Sequence, residues 1–121
     1  MNIFYNGNKY LAFKKELENI NIPEIIFKIE DGNGSHSLKN NFIYISSFYS
    51  TEEKHGYGSK ALKEIIKIAD KHQINFYLFP YGTSKSFYEK FGFIYPENPN
   101  NYYIPGQLYR FCDKYIPEID K

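Results

Sequence analysis

The sequence is poor in the residues that build disulfides, metal sites and membrane spans. It contains one cysteine, Cys112, and three scattered histidines. A single cysteine excludes an intramolecular disulfide framework, and the histidines lack the spacing of zinc ligands. No stretch approaches the roughly 18 apolar residues of a membrane span, and the N-terminus has no signal-peptide core. We therefore expect a cytoplasmic protein with neither a bound metal nor a membrane partner.

An excess of charge of one sign is also missing. The chain has 15 basic and 14 acidic residues, whereas a nucleic-acid-binding domain carries a marked basic excess. We therefore expect no direct binding to nucleic acid. Valine and tryptophan are absent, yet aromatic residues make up 20% of the chain. With abundant Ile, Asn and Lys, this composition indicates an A/T-rich genome, bacterial or phage, rather than an aromatic binding platform.

The length of 121 residues predicts a single domain over residues 1–121. Hydrophobic periodicity predicts three helices, at residues 8–20, 59–72 and 84–90. Strand-like segments lie between them, at residues 2–6, 24–30, 42–49, 75–80, 93–95 and 107–112. The second and third of these strands read as an antiparallel hairpin, and the apolar run at 75–80 as an interior strand. The predicted fold class is α/β, with helices packed on a mixed sheet.

The most informative segment joins the third strand to the amphipathic helix and reads Glu53-Lys54-His55-Gly56-Tyr57-Gly58-Ser59. Its two glycines allow a close approach of the backbone to a ligand. The free N–H groups and the positive dipole end of the following helix favour a phosphate at this point. The segment lacks the Gly-Lys-Ser/Thr of a P-loop and the third glycine of a dinucleotide site. By itself the pattern also fits a tight strand-to-helix turn.

A second motif, Ser84-Lys85-Ser86-Phe87-Tyr88-Glu89-Lys90-Phe91-Gly92-Phe93, follows about thirty residues later. Together, in this order and at this spacing, the two motifs resemble those of GNAT-superfamily N-acetyltransferases. The resemblance covers residues 42–95 and extends loosely to Arg110. It implies a GNAT-like acyl-CoA N-acyltransferase fold, here with a shortened N-terminal region. The implied activity is transfer of an acetyl group from acetyl-CoA to a primary amine.

The resemblance also implies roles for particular residues. Tyr88 matches the family tyrosine that protonates the departing thiolate. The pyrophosphate is expected on the glycine loop, and the pantetheine arm beside the strand at 46–48, where two strands must diverge. An N–H near Phe48 is expected to polarise the thioester carbonyl. The implied cofactor-binding residues are Ser46, Ser47, Phe48, Glu53, Lys54, His55, Gly56, Tyr57, Gly58, Ser59, Lys60, Ser84 and Phe87.

The sequence departs from the family pattern at three positions. Glu53 replaces a basic or amide residue at the pyrophosphate site, and Tyr81 and Ser84 replace Asn and Ala. The acidic residue costs on the order of 1 kcal/mol at a solvated surface. We expect Lys54, His55 and Lys60 to offset that cost, because they are close in sequence.

The sequence does not identify the general base or the acceptor. Glu30, His36 and Tyr44 are candidate bases, and each also reads as an ordinary hairpin residue; a chain of water molecules is a further alternative. With one N-terminal helix instead of two, the cleft is expected to be open, which favours a protein lysine as acceptor. The C-terminal part also loosely resembles small phage-encoded GNAT proteins, including an anti-CRISPR acetyltransferase of type V systems. A counter-defence role, a CoA-binding regulatory domain without turnover, and an interaction module remain alternatives.

Overall fold

The computed structural model describes residues 1–32, 42–51, 56–82, 84–95 and 106–112. Within them, five strands form one mixed sheet in the order β1-β2-β3-β4-β5. The strands are β1 (Asn2–Asn6), β2 (Ile25–Asp31), β3 (Phe42–Ser50), β4 (Asn75–Leu78) and β5 (Leu108–Arg110). The helices are α1 (Leu11–Leu17), α2 (Tyr57–Lys71) and α3 (Ser84–Glu89). The predicted class, helices on a mixed α/β sheet, is confirmed.

Strand pairing agrees with the predicted hairpin. It also gives the partner and direction of the other strands, which hydrophobic periodicity does not predict. β2 and β3 pair antiparallel as predicted, whereas β1 pairs parallel with β2. β3 and β4 are parallel, and β5 runs antiparallel to β4. A parallel pair requires a crossover connection, and the described helices α1 and α2 lie in the two crossovers.

Several predicted boundaries were wrong. The first helix is shorter than residues 8–20, and Leu11 at its start is 57% exposed. Residues 93–95 do not form a strand, since only an isolated bridge joins Ile94 to Tyr109. β4 ends at Leu78, and Pro80 beyond it has no N–H to donate to a neighbouring strand. The last strand is also shorter than residues 107–112.

Helix α2 follows its predicted pattern most closely. Ala61, Leu62, Ile65 and Ala69 are buried, and the lysines at 60, 63, 67 and 71 are exposed. This apolar stripe recurs at helical spacing and faces the sheet. No helix among the described residues is long and apolar enough to cross a membrane.

The two faces of the sheet bury different clusters. On one face, the helical face, α1 and α2 pack over Phe27, Ile43 and Phe76, and Tyr88 of α3 joins this core. On the opposite face, called the second face here, Phe42, Tyr77 and Tyr109 form a separate buried aromatic cluster. Side chains alternate between faces along a strand. Consecutive residues of β3 and β4, such as Phe76 and Tyr77, therefore belong to different clusters.

Arg110 ties the last strand to both later helices. Its guanidinium donates to both carboxylate oxygens of Asp70 on α2, at 2.7 and 3.1 Å, and its Nε donates to the carbonyl of Phe91 at 3.0 Å. The Arg110 side chain is 9% exposed and that of Asp70 is 19% exposed. The pair thus fixes the end of α3, which carries Tyr88, against α2.

We expect Arg110→Met to lower the free energy of unfolding by about 3 kcal/mol, because Asp70 would remain buried without its counter-charge. Urea denaturation measures the change. In the Asp70→Asn background, Arg110→Met should lower the free energy of unfolding clearly less, because residue 70 then carries no charge to be left unpaired. Equal costs in both backgrounds would show that the pair contributes no coupling energy.

Candidate functional site

A slot opens where β3 and β4 part. Their ladder pairs Phe42, Ile43 and Tyr44 with Asn75, Phe76 and Tyr77 and then ends, although β3 continues to Ser50. The two strands are not paired along their whole length, as predicted, because β4 ends at Leu78, one residue beyond the last pair. A cavity of about 280 Å³ occupies the opening, which we call the slot. It is lined by Ile45, Ser46, Ser47, Phe48, Tyr49, Leu78, Phe79, Tyr81, Ser84 and Tyr88.

A β-bulge distorts β3 at the slot. Lys28 lies opposite Ser47, whereas Ile29 lies opposite Ile45, so Ser46 is the extra residue on β3. Its hydroxyl donates to the carbonyl oxygen of Lys28 at 3.2 Å. A bulge bends its strand and interrupts the regular ladder. Beyond Tyr44, the β4-facing edge of β3 therefore presents main-chain groups to the slot, as a ligand that binds like an added strand requires.

Helix α2 begins directly at the glycine loop. Gly56 is its N-cap residue, with a left-handed φ of 70°, and no side chain of a described residue caps this end. The first intrahelical bond runs from Lys60 N–H to the Gly56 carbonyl at 3.2 Å, and the first turn contains no acidic residue. The N–H groups of the first turn have no acceptor within the helix. This end of α2 is suited to an anion.

The glycine loop lies next to the slot. A Cβ built on Gly58 would lie 3.9 Å from the ring of Phe87, and that ring stacks on Phe48, which lines the slot, with ring centroids 6.5 Å apart. The two glycines of the loop differ in backbone conformation. Gly58 lies inside α2, and only Gly56 has a positive φ.

Tyr88 lines the slot from the helical face and is 7% exposed. Its ring packs edge-on against Phe87 and Phe93. Among the described residues its hydroxyl has no hydrogen-bond partner. Burial raises the pKa of the Tyr88 phenol to about 12, so the hydroxyl is neutral at physiological pH and is available to donate a hydrogen bond.

The structure brings together most of the described predicted site residues. Ser46, Ser47, Phe48, Ser84 and Tyr88 line one cavity, and Phe87 connects it to the loop at 56–58. The residues at 57–60 occupy the first turn of α2, where Ser59 and Lys60 are exposed. Three predicted phosphate-side residues, at 53–55, and the candidate base at 36 lie outside the described residues.

Of the candidate bases, Glu30 and Tyr44 are cross-strand partners in the β2–β3 ladder. The pKa of the Tyr44 phenol is raised, first by burial and then by the proximity of Tyr81 and Glu30, which disfavours its acting as a base. The described lining of the slot contains no carboxylate and no imidazole. Within the same described ranges, no three His, Cys, Asp or Glu residues are grouped as metal ligands would be.

Five of the ten residues that line the slot were not among the predicted binding residues: Ile45, Tyr49, Leu78, Phe79 and Tyr81, the last of which was noted only as a departure from the family pattern. The signal for three of them was present. Leu78 and Phe79 end the apolar run at which β4 stops, and Tyr81 follows Pro80 directly. A strand that stops early beside a longer neighbour leaves that neighbour's next residues unpaired.

Comparison of this chain with protein-family models and with curated proteins finds no match.

We expect alkaline pH to destabilise the protein through Tyr88. The unfolded chain ionises this phenol near pH 10, whereas the folded protein holds its pKa near 12. As pH rises from 10 through 12, ionisation favours the unfolded state, and below pH 10 the phenol has no such effect. The wild-type protein should therefore lose roughly 2–3 kcal/mol relative to Tyr88→Phe across this range.

Urea denaturation of both proteins at about pH 9 and about pH 12 measures this difference. At neutral pH, Tyr88→Phe should leave stability almost unchanged, because the hydroxyl has no hydrogen bond to lose within the described residues. Parallel loss of stability in both proteins would show that the folded-state pKa of Tyr88 is ordinary.

Proposed function

We propose that the chain is an acetyl-CoA-dependent N-acetyltransferase of the GNAT type that acetylates a primary amine. The observation that carries the proposal is the slot between β3 and β4, with the uncapped start of α2 beside it. One end of this arrangement suits a phosphate, and the other offers free main-chain edges and a neutral tyrosine. Acyl-CoA joins these chemistries in one molecule: a pyrophosphate, a flexible arm with amide groups, and a thioester.

The pyrophosphate would bind at the first turn of α2. Gly56 and Gly58 carry no side chains to obstruct it, and the nearest atom to a Cβ built on Gly58 belongs to the Phe87 ring. Backbone N–H groups and the helix dipole supply the attraction. Because they belong to the backbone, this attraction does not depend on a basic residue at position 53.

The pantetheine arm would follow the bulged edge of β3 at Ser46, Ser47 and Phe48, placing the thioester between β3 and Tyr88. The neutral amine nitrogen attacks the thioester carbonyl carbon, and a main-chain N–H of β3 stabilises the resulting oxyanion. The C–S bond then breaks, CoA leaves as a thiolate, and the amide product loses its extra proton to water. The thiolate gains one proton, so that amine and acetyl-CoA give amide and CoA.

Tyr88 would stabilise the departing sulfur. A phenol of pKa about 12 and a thiol of pKa about 8.5 differ by ~3.5 units, so complete proton transfer is uphill by about 5 kcal/mol. Hydrogen-bond donation without complete transfer has no such cost, and a hydrogen bond to an ionised acceptor is about twice as strong as a neutral one. In this role Tyr88 donates a hydrogen bond to the sulfur, and water supplies the final proton.

One observation favours a second candidate, a CoA-binding domain without turnover. The described lining of the slot has no group that could accept the proton of the amine. An enzyme that used only these described residues would have to take its amine already neutral from solvent, or release the proton through water. The two predictions below separate binding from turnover.

We expect acetyl-CoA at 100 times its Kd to stabilise the wild-type protein by roughly 2.7 kcal/mol and Gly58→Asp to abolish that effect. The aspartate would place a negative charge where the pyrophosphate binds. The free variant should fold, because a Cβ on Gly58 fits and an acidic residue in the first turn stabilises a helix.

Gly58→Asn is the matched control, since it has the same size without the charge, and it should retain more of the stabilisation than Gly58→Asp. Thermal unfolding with and without acetyl-CoA measures both. Equal stabilisation of the wild type and Gly58→Asp would place the phosphates elsewhere.

We expect Tyr88→Phe to lower kcat by about 10²-fold, the lower end of the range for general acid catalysis, because hydrogen-bond donation replaces full proton transfer. The thermal shift with acetyl-CoA should not change. Acetylation of a lysine peptide, followed by the 42 Da increase of intact mass, provides the rate. A variant that keeps more than about half of the wild-type kcat would assign Tyr88 to packing alone.

A further inference from the structure

Three aromatic rings around the slot have neither a ring nor a cation as partner among the described residues. Tyr49, Phe79 and Tyr81 all line the cavity and are 50%, 43% and 80% exposed. Within the described residues none of these rings stacks on another ring or carries a lysine ammonium. Most other described rings do one or the other, even at the surface, where Lys85 lies over Tyr95 at 4.5 Å. We call these three residues the aromatic rim.

The aromatic rim opens on the second face, across the sheet from Tyr88. Phe48 packs in the core of the helical face, so the next residue of β3, Tyr49, points to the opposite face. Tyr81 lies beside Tyr44, a neighbour of the second-face cluster, as its influence on the Tyr44 pKa indicates. Tyr88 and the aromatic rim therefore line the slot from opposite faces of the sheet.

The electrostatics of the rim favour a cation. The faces of aromatic rings attract ammonium groups within about 6 Å of the ring centre, and no described residue that lines the slot is charged. Lys28, which pairs with Ser47 across the ladder, extends over Phe4 of β1 at 5.6 Å, away from the slot. Lys28 and Glu30 are the two charged residues that β2 places on this face, and Glu30 is the one that pairs with Tyr44.

We infer that the aromatic rim binds the acceptor of the proposed reaction and that this acceptor is a lysine side chain. This inference rests on the proposed function. Lysine combines one ammonium group with an apolar four-carbon stem, and the rim combines ring faces with apolar edges. A polyamine carries several ammonium groups and would need carboxylates along its length, which the described lining does not provide. The rim is open to water, so the ammonium can lose its proton to solvent before attack.

The inference is tested by binding, without turnover. NMR titrations of the wild-type protein, alone and with saturating CoA, would use Nα-acetyl-lysine amide and its norleucine analogue, which lacks the ammonium group. We expect clearly tighter binding of the lysine compound. Tyr81→Leu should weaken it by roughly two- to fivefold, the effect of one exposed cation–π contact. Tyr49→Leu combined with Tyr81→Leu should weaken it by roughly tenfold.

Tyr95→Leu is the matched control, because Tyr95 is 45% exposed, already covered by Lys85 and not part of the slot lining. It should bind the lysine compound as the wild type does. Equal binding of the lysine and norleucine compounds, or unchanged binding in the rim variants, would overturn the inference. Tighter binding of spermidine than of the lysine compound would overturn the assignment to lysine.

The outcomes also separate this inference from the proposed function. Acetyl-CoA should still stabilise the rim variants, because the start of α2 and the main chain of β3 at 46–48 are unchanged in them. If the rim variants lost lysine binding but the wild type showed no acetyl transfer, the rim would stand as a lysine-binding site and the proposed transferase activity would be refuted. If Tyr81→Leu transferred acetyl groups with an unchanged KM for a lysine peptide, the transferase activity would stand and the role of the rim in binding the acceptor would be refuted.

Discussion

The candidate site depends on a mismatch in length between two neighbouring strands. β3 has nine residues and β4 has four, and their ladder stops at Tyr44 and Tyr77. Pro80, two residues beyond β4, cannot donate a ladder hydrogen bond. Among the described residues, no strand pairs with the β4-facing edge of β3 beyond Tyr44, a position that proteins normally pair or cover. A slot with main-chain groups on one wall is the direct consequence.

The sequence predicted the elements that local patterns determine. The alternation of apolar and lysine residues placed α2, and the glycines at 56 and 58 placed its start to within two residues. The interpretation of the run at 75–80 as buried on both faces holds for the four residues of β4 but not for Phe79, which is 43% exposed. Pairing partners are not local, so nothing in residues 2–6 shows that β1 lies parallel beside β2. The apolar residues at 93–95 read as a strand. In the structure, Phe93 is buried by packing against Phe76 and Tyr88 and not by strand pairing.

The bulge at Ser46 was readable in principle. Ile43, Ile45 and Phe48 all face the same core, and regular alternation from Ile43 and Ile45 would place residue 47 there instead of Phe48. The extra residue shifts the phase, so that Phe48 contacts Phe27 and Phe87 and Ser47 borders the slot. The bulge thus lets Phe48 pack in the core while Ser47 lines the slot. A change in the two-residue period of apolar residues within a strand is the sequence signal that predicts such a bulge.

A slot without described charged side chains must obtain its electrostatics from dipoles and rings. The start of α2 and the edge of β3 supply oriented N–H groups, Tyr88 supplies a neutral hydroxyl, and the aromatic rim supplies ring faces. Backbone dipoles are fixed by the fold and need no reorganisation when charge develops. An A/T-rich coding sequence would explain how many aromatic residues the chain contains, but not their placement. Most described rings are packed against a partner, whereas the three of the aromatic rim surround one slot; it is their position, and not their number, that carries the functional argument.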